Sequence, residues 1–351
     1  MGEVLGLGMT HFPPLGWPDE LMDRALQFGF ADPAVPDSVR AGEGWPDGMR
    51  EEFDRPRLEA AADHRAAMVA GCARVRAELD AFAPDVVVIW GDDQYELFRE
   101  DVVPAFCVIA TDTLSFAPWR RPDGDPVPNV WDESPDARFE VPGHAAFGRA
   151  LAASLLGDDF DVAYAYDTRG DRPFPHAISN TVLFLDYDRV GWPHPVVPMT
   201  VNCYGSLAIS RRGGMARFAT DGAAVPLDPP GPSPRRCLEI GRAVARAARA
   251  SDLRVALLAS SSWSHGFLHD AGWRIYPDNA SDRRYYEART SGDHTPWHEA
   301  TLQGVVDSGQ QEMLNWFCLV GAAEEAGLSL AWSDYVETFV FNSNKCFAVY
   351  R

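Results

Sequence analysis

Three apolar segments of this chain each deliver a histidine or a polar cluster at their carboxyl end. Val4 to Met9 runs into Thr10–His11, where Phe12-Pro13-Pro14 stops regular structure by removing donors and fixing φ. Asp85 to Trp90, reading DVVVIW, runs into Gly91-Asp92-Asp93-Gln94, and Arg254 to Ala259 runs into Ser260-Ser-Ser-Trp-Ser-His265. Unalternating, β-branched runs of this kind are strands covered on both faces, which is the pattern of a parallel sheet. Parallel strands are joined by crossovers, so their carboxyl ends share one edge of the sheet, where open α/β folds bind ligands. The expected fold is therefore α/β, a central mostly parallel sheet flanked by helices with the active site at the strand carboxyl ends.

The intervening segments supply the crossovers. Leu58 to Phe82 has helical spacing and ends at Pro84; Gly143 to Leu156, His176 to Leu183, Arg236 to Ala250, Glu299 to Val306 and Gln310 to Ala326 also read as helices. Further strands are expected at Ala105 to Ala110, Phe160 to Tyr166 and Val196 to Val201, with a strand-rich tail from Val336 to Tyr350. Gly16 to Arg55, with one helix-like piece at Glu20 to Gln27, and Thr111 to Arg138 are long Pro-rich loops suited to covering a site. Asp270 to Thr295 reads as a polar stretch without a regular element. With 351 residues, 46% of them hydrophobic and 23% charged, the chain can bury one large core, so a single catalytic domain over 1–351 is expected.

A formal net charge of −20 argues against nucleic acid or an anionic membrane as partner, because both need a basic footprint. Small molecules fit better. Six cysteines at 72, 107, 203, 237, 318 and 346 form no CxxC pair and no dense framework, which points to reduced thiols in a cytoplasmic protein. No run approaches the roughly 18 apolar residues of a membrane span. Lys345 is the only lysine in the chain.

His11, His144, His176, His265 and Glu312 are the side chain types that bind a divalent transition metal or move protons near neutral pH. Glu312 opens an apolar helix, where the helix dipole also favours an acid. Histidines 64, 194, 269, 294 and 298 are read as structural or solvated. Gly213–Gly214 belongs to neither a GxxxxGK[ST] nor a strand-linked GxGxxG phosphate cradle, and Ser260 to Ser264 lacks the GxSxG elbow of a hydrolytic serine.

Taken in order, GMTHFPPLG, PDVVVIWGDDQYELF, PGHAAFGRAL, PHAISNTVLFL, VPMTVNCYG, PSPRRCLEIGRAV, SSSWSHGFL, QQEMLNWF and FNSNKCFAV resemble the LigB-like class III extradiol dioxygenases. The resemblance covers most of the chain. It implies Fe(II), with Mn or Zn as alternatives, a small catechol- or aminophenol-like aromatic substrate, and O2. It implies His11 and Glu312 as metal ligands, His265 as the acid/base histidine, His144 and His176 as further pocket histidines, and Ser343–Asn344 as a substrate-contacting loop; Tyr95 is a further expected substrate-binding residue. A second metal histidine of the family falls on Gln94. The group completing the site is then Gln94 through its oxygen, Asp92 or Asp93 through a carboxylate, or a displaced His64 or His176. No nucleic-acid or membrane partner is expected, and a homo-oligomer, such as a dimer, is. Two other readings stand beside the dioxygenase: a metal-dependent hydrolase, lyase or isomerase on the same fold, and a non-catalytic binding protein that has lost a ligand.

Overall fold

A computed structural model describes residues 2–120, 124–168, 170, 172–213 and 226–351. Parts of the 111–138 loop and of the Gly/Pro-rich stretch after Gly213, including Gly214, lie outside the described residues. Ten strands are present among those described: β1 Glu3–Met9, β2 Val86–Asp92, β3 Phe106–Ile109, β4 Thr113–Phe116, β5 Phe139–Pro142, β6 Ala163–Ala165, β7 Val196–Val201, β8 Arg254–Ser260, β9 Leu330–Val336 and β10 Lys345–Tyr350. Eight of them make one sheet in the order β6-β3-β7-β2-β8-β1-β10-β9, and β4 pairs with β5. The fold is α/β with a mostly parallel sheet, as the strand pattern predicts.

Neighbouring β7, β2, β8 and β1 are all parallel, so their carboxyl ends line up on one edge. Antiparallel β10 begins at that same edge, beside the end of β1. Alternation along β2 divides the core in two: Val86, Val88 and Trp90 face one side, Val87 and Ile89 the other. Helices α2 (Ala145–Gly157), α4 (Pro234–Ala250) and α6 (Leu314–Ala326) cover the first face; α1 (Arg57–Phe82) and α3 (His176–Leu185) cover the second. Burial on both sides is why β2 carries no polar alternation. Close approach of α4 and α6 depends on two glycines, since a Cβ at Gly241 would sit 1.9 Å from the Cys318 carbonyl oxygen and one at Gly321 2.1 Å from that of Leu238.

Three expectations change. Thr111 to Arg138 is not loop throughout, because β4 pairs with β5 at its far side. Gly16 to Arg55 holds helical pieces at Arg24–Ala31, Asp37–Arg40 and Met49–Phe53, packed by buried Leu26, Val39 and Met49. The polar stretch after Asp270 contains α5 (Asn279–Ser291), which buries Asp282 and so shows no apolar stripe.

Asp282 ties α5 to the site edge. Its carboxylate accepts from the Ser264 backbone N–H at 3.0 Å, the Gln310 amide at 2.6 Å and the Asn344 amide at 2.7 Å. Burial raises its carboxyl to about 7 despite these donors. That value exceeds the unfolded one of about 3.9, so between about pH 4 and 7 the folded chain holds a proton that the unfolded chain releases. The contribution of Asp282 to stability therefore falls as pH rises through that interval. Asp282→Asn should cost about 2 kcal/mol at pH 5, because an amide hydrogen meets donors, and less at pH 8. Urea unfolding at the two pH values checks this; a cost that is constant or larger at pH 8 contradicts it.

Candidate metal centre and active site

The aligned strand ends bring a buried imidazole and two buried carboxylates together. His11, two residues beyond β1, places Nδ1 2.9 Å from the Ser260 carbonyl oxygen. A carbonyl only accepts, so Nδ1 carries the proton and Nε2 presents its lone pair. That Nε2 stands 3.7 Å from Asp92 Oδ1 and 3.6 Å from Glu312 Oε2, and ligand atoms of the three residues lie within 4.8 Å of one another. Asp92 is the last residue of β2. Glu312 lies in the 3-10 turn Gln311–Met313 that leads into α6, and its backbone carbonyl accepts from Ser261 Oγ at 2.8 Å.

The outer oxygens of the two acids are occupied. Glu312 Oε1 accepts from the Tyr204 hydroxyl at 2.5 Å and from the Gln94 amide at 3.0 Å, and the same amide reaches Asp92 Oδ2 at 3.4 Å and the Tyr204 oxygen. Asp92 Oδ1 and Glu312 Oε2 are buried with no hydrogen-bond partner. Burial first, and then the neighbouring Asp92, pushes Glu312 well above the usual carboxylate range. Burial likewise pushes Asp92 up to about 6, while burial and the His176 charge push His11 down. Two acids and a neutral imidazole in a dry pocket call for a proton or a cation. One nitrogen and two unpaired oxygens facing one point are a donor set that fits a divalent metal.

Two further histidines border this cluster in opposite electrostatic settings. His265 Nε2 is 3.4 Å from Glu312 Oε1, its Nδ1 is buried without a partner, and burial together with the Lys345 charge lowers it to about 3. His176 stands edge-on to His11 with ring centroids 5.2 Å apart, and its Nδ1 donates to Glu96 Oε1 at 3.0 Å. Burial would lower His176, but Glu96, Asp92 and Glu312 outweigh it and raise the ring to about 10.

Other residues expected at the site are placed elsewhere. Asp93 turns to the backbone and accepts from the N–H groups of Glu96 at 3.2 Å and Leu97 at 2.8 Å, so its carboxylate shapes the turn after β2. Gln94 is present, but its amide nitrogen meets the acids. Tyr95 takes a positive φ of 60° and turns outward, with its hydroxyl donating to Glu100 at 2.6 Å. His144 caps α2 by accepting from the Phe147 N–H at 3.2 Å. The adjacent Gly143 bridges to Val196, the first residue of β7, which puts His144 at the opposite edge of the sheet, roughly 17 Å from the β7 carboxyl end. The Asn344 amide is spent on Asn279, Asp282 and the Thr338 N–H. Ser343 Oγ is buried and unpartnered, and Ser343 bridges to His265.

Sequence reasoning gave no role to Tyr204, Glu96 or Lys345. Tyr204 follows the end of β7, the fourth parallel strand, so strand-end logic carried to β7 finds it. Lys345 is fully buried, donates to the Phe341 carbonyl at 2.8 Å and to that of Ser343, and lies 3.8 Å above the Phe12 ring centroid. Being the sole lysine was its signal. His194 and His269, read as solvated, are buried against Asp80 and the Tyr276 carbonyl.

No family model matches the chain. A 2,3-dihydroxyphenylpropionate/2,3-dihydroxicinnamic acid 1,2-dioxygenase of Comamonas testosteroni is 28% identical over 205 residues, covering 58% of this chain and 50% of that protein. A protein of the same description from Burkholderia vietnamiensis is 27% identical over 303 residues, covering 78% and 87%. A gallate dioxygenase of Pseudomonas putida is 29% identical over 127 residues, covering 36% and 29%. The matched part thus spans about half the length of the Comamonas protein.

Without a cation the two facing acids oppose each other's ionisation. Asp92→Asn removes one charge and offers Glu312 a donor, so it should raise the Tm of the metal-free protein by about 1–3 °C. Scanning fluorimetry in chelator checks the sign, and a lower Tm would contradict the repulsion.

Proposed function

Because this chain is a relative of the LigB-like class III extradiol ring-cleavage dioxygenases, we propose that it is a metal-dependent dioxygenase opening a catechol- or aminophenol-like aromatic ring with O2. The observation that carries the reading is the buried His11, Asp92 and Glu312 cluster, with two orphaned carboxylate oxygens, bordered by His265 and His176. Those three residues are the ligands, Fe(II) the metal, and Mn or Zn the alternatives. A metal held by His11, Asp92 and Glu312 would supply Lewis acidity and redox chemistry at this centre. In the overall reaction one ring carbon–carbon bond breaks and both atoms of O2 end in the product.

The chain's own groups handle protons and orientation. His265 Nδ1 is buried without a partner, so a free ring nitrogen is placed to accept the proton of a substrate hydroxyl and later return it. His176, held protonated against Glu96, faces the same centre and stabilises anionic oxygen. Ser343 Oγ supplies an uncommitted donor next to His265. Burial of all three ligands excludes water from the reacting atoms. Six free, buried cysteines support a cytoplasmic setting, and a homo-oligomer is part of the same reading. Among the described residues no helix is long and apolar enough to cross a membrane.

One observation favours a second reading. A site with one imidazole and two carboxylates is harder than one with two imidazoles, which suits a hydrolase, lyase or isomerase using Mn or Mg.

The test is anaerobic purification, loading with Fe(II), Mn(II) or Zn(II), and a catechol and aminophenol panel read by oxygen uptake and a yellow ring-opened product. His11→Ala, Asp92→Ala and Glu312→Ala should each lower metal affinity at least about 100-fold, whereas His265→Ala keeps the metal and loses turnover at least about 100-fold. Turnover of these substrates without oxygen uptake selects the second reading, and unchanged metal affinity in Glu312→Ala overturns the ligand set.

A further inference from the structure

We propose that Gln94 and Tyr204 are positioning residues that restrict Glu312 and Asp92 to one metal-binding oxygen each and so keep coordination positions open for two reactants. The inference rests on the ligand set above.

A carboxylate can hold a cation through one oxygen or through both, and the difference decides how many positions remain. In this site each acid has one engaged oxygen and one bare oxygen. Glu312 Oε1 receives the Tyr204 hydroxyl at 2.5 Å and the Gln94 amide at 3.0 Å, and Asp92 Oδ2 receives the same amide at 3.4 Å. Glu312 Oε2 and Asp92 Oδ1 have no partner and face His11 Nε2 at 3.6 and 3.7 Å. The donors thus sit on the two oxygens that point away from the imidazole.

A primary amide suits this task because it carries two N–H bonds on one nitrogen and can span two acids. Two of the three atoms this end of the amide meets are carboxylate oxygens, which favours the nitrogen toward the acids. Gly213, at φ +66°, leaves room for the stem of Gln94: a Cβ there would come within 3.0 Å of Gln94 Cβ. Tyr204 is buried and closes the far side of Glu312. Through three single atoms an octahedral ion keeps three positions; with both acids chelating, it keeps one. Two reactants need more than one. In place of an imidazole, Asp92 supplies the ligand atom, and Gln94 prevents the added carboxylate from closing the site.

Mn²⁺-loaded protein distinguishes a positioning group from a ligand by the sign of one measurement. Water-proton relaxation per bound Mn²⁺ counts exchanging inner waters, and the Mn²⁺ Kd comes from the electron paramagnetic signal of free ion. Gln94→Leu and Tyr204→Phe should each weaken Mn²⁺ by about tenfold, as loss of a group behind a ligand does, and lower the relaxivity per bound ion as an acid swings to chelate. Asp92→Asn should weaken Mn²⁺ more than either. A rise in relaxivity in Gln94→Leu would make Gln94 a ligand and overturn the proposal, as would unchanged relaxivity in both variants. Tyr204→Phe removes a single oxygen and keeps the ring, so it carries the test if Gln94→Leu does not fold. Failure of every metal form to consume O2 would overturn the dioxygenase reading and leave the relaxivity result standing.

Discussion

Two carboxylates facing one imidazole at a dry strand edge are the constraint around which the site is arranged. Asp92 and Glu312 are both buried, and each leaves one oxygen unpaired toward His11. An unpaired buried charge costs several kcal/mol, so the chain sustains the arrangement only because the rest of the fold fixes it. Parallel β2 holds Asp92 through its ladder with β7, and Ser261 and the α6 amino terminus hold Glu312. The Ser260 carbonyl selects the His11 tautomer that turns its lone pair toward the acids. A cation bound between the two bare oxygens would relieve their mutual opposition.

Much of the fold is legible because burial on both faces writes itself into sequence as an unalternating run. β2, β7 and β8 are such runs, and their parallel order puts their ends together. What sequence conceals has a physical reason in each case. α5 is invisible as an amphipathic helix because its inward face carries Asn279 and Asp282, which hydrogen-bond rather than pack. β4 and β5 lie in a two-stranded pair off the main sheet, so neither has the apolar signature of the sheet strands.

The site is legible where strand ends alone decide the position of a side chain, as for His11 and His265. It is less so where the fold reuses a residue. His144 falls in a recognisable segment, yet Gly143 docks on the amino end of β7 and carries the ring to the wrong edge. Asn344 lies at the right edge, but its amide completes the Asp282 network instead of facing a ligand. Asp93 and Asp92 are indistinguishable in sequence. Successive residues of a strand point to opposite faces, and the turn after β2 then captures the second acid with three backbone N–H groups.

The same edge keeps two histidines in opposite protonation states, which is what proton handling at one pH needs. His176 has Glu96 at hydrogen-bond distance and two buried acids close by, so it holds its proton. His265 is buried from water and, secondarily, lies near Lys345, so it stays neutral. Lys345 donates to two carbonyl oxygens and lies over the Phe12 ring, and its burial pushes it well below the usual lysine range. The contrast between the two rings therefore resides in the Glu96 carboxylate beside His176 and in the burial of His265, as much as in the histidines themselves.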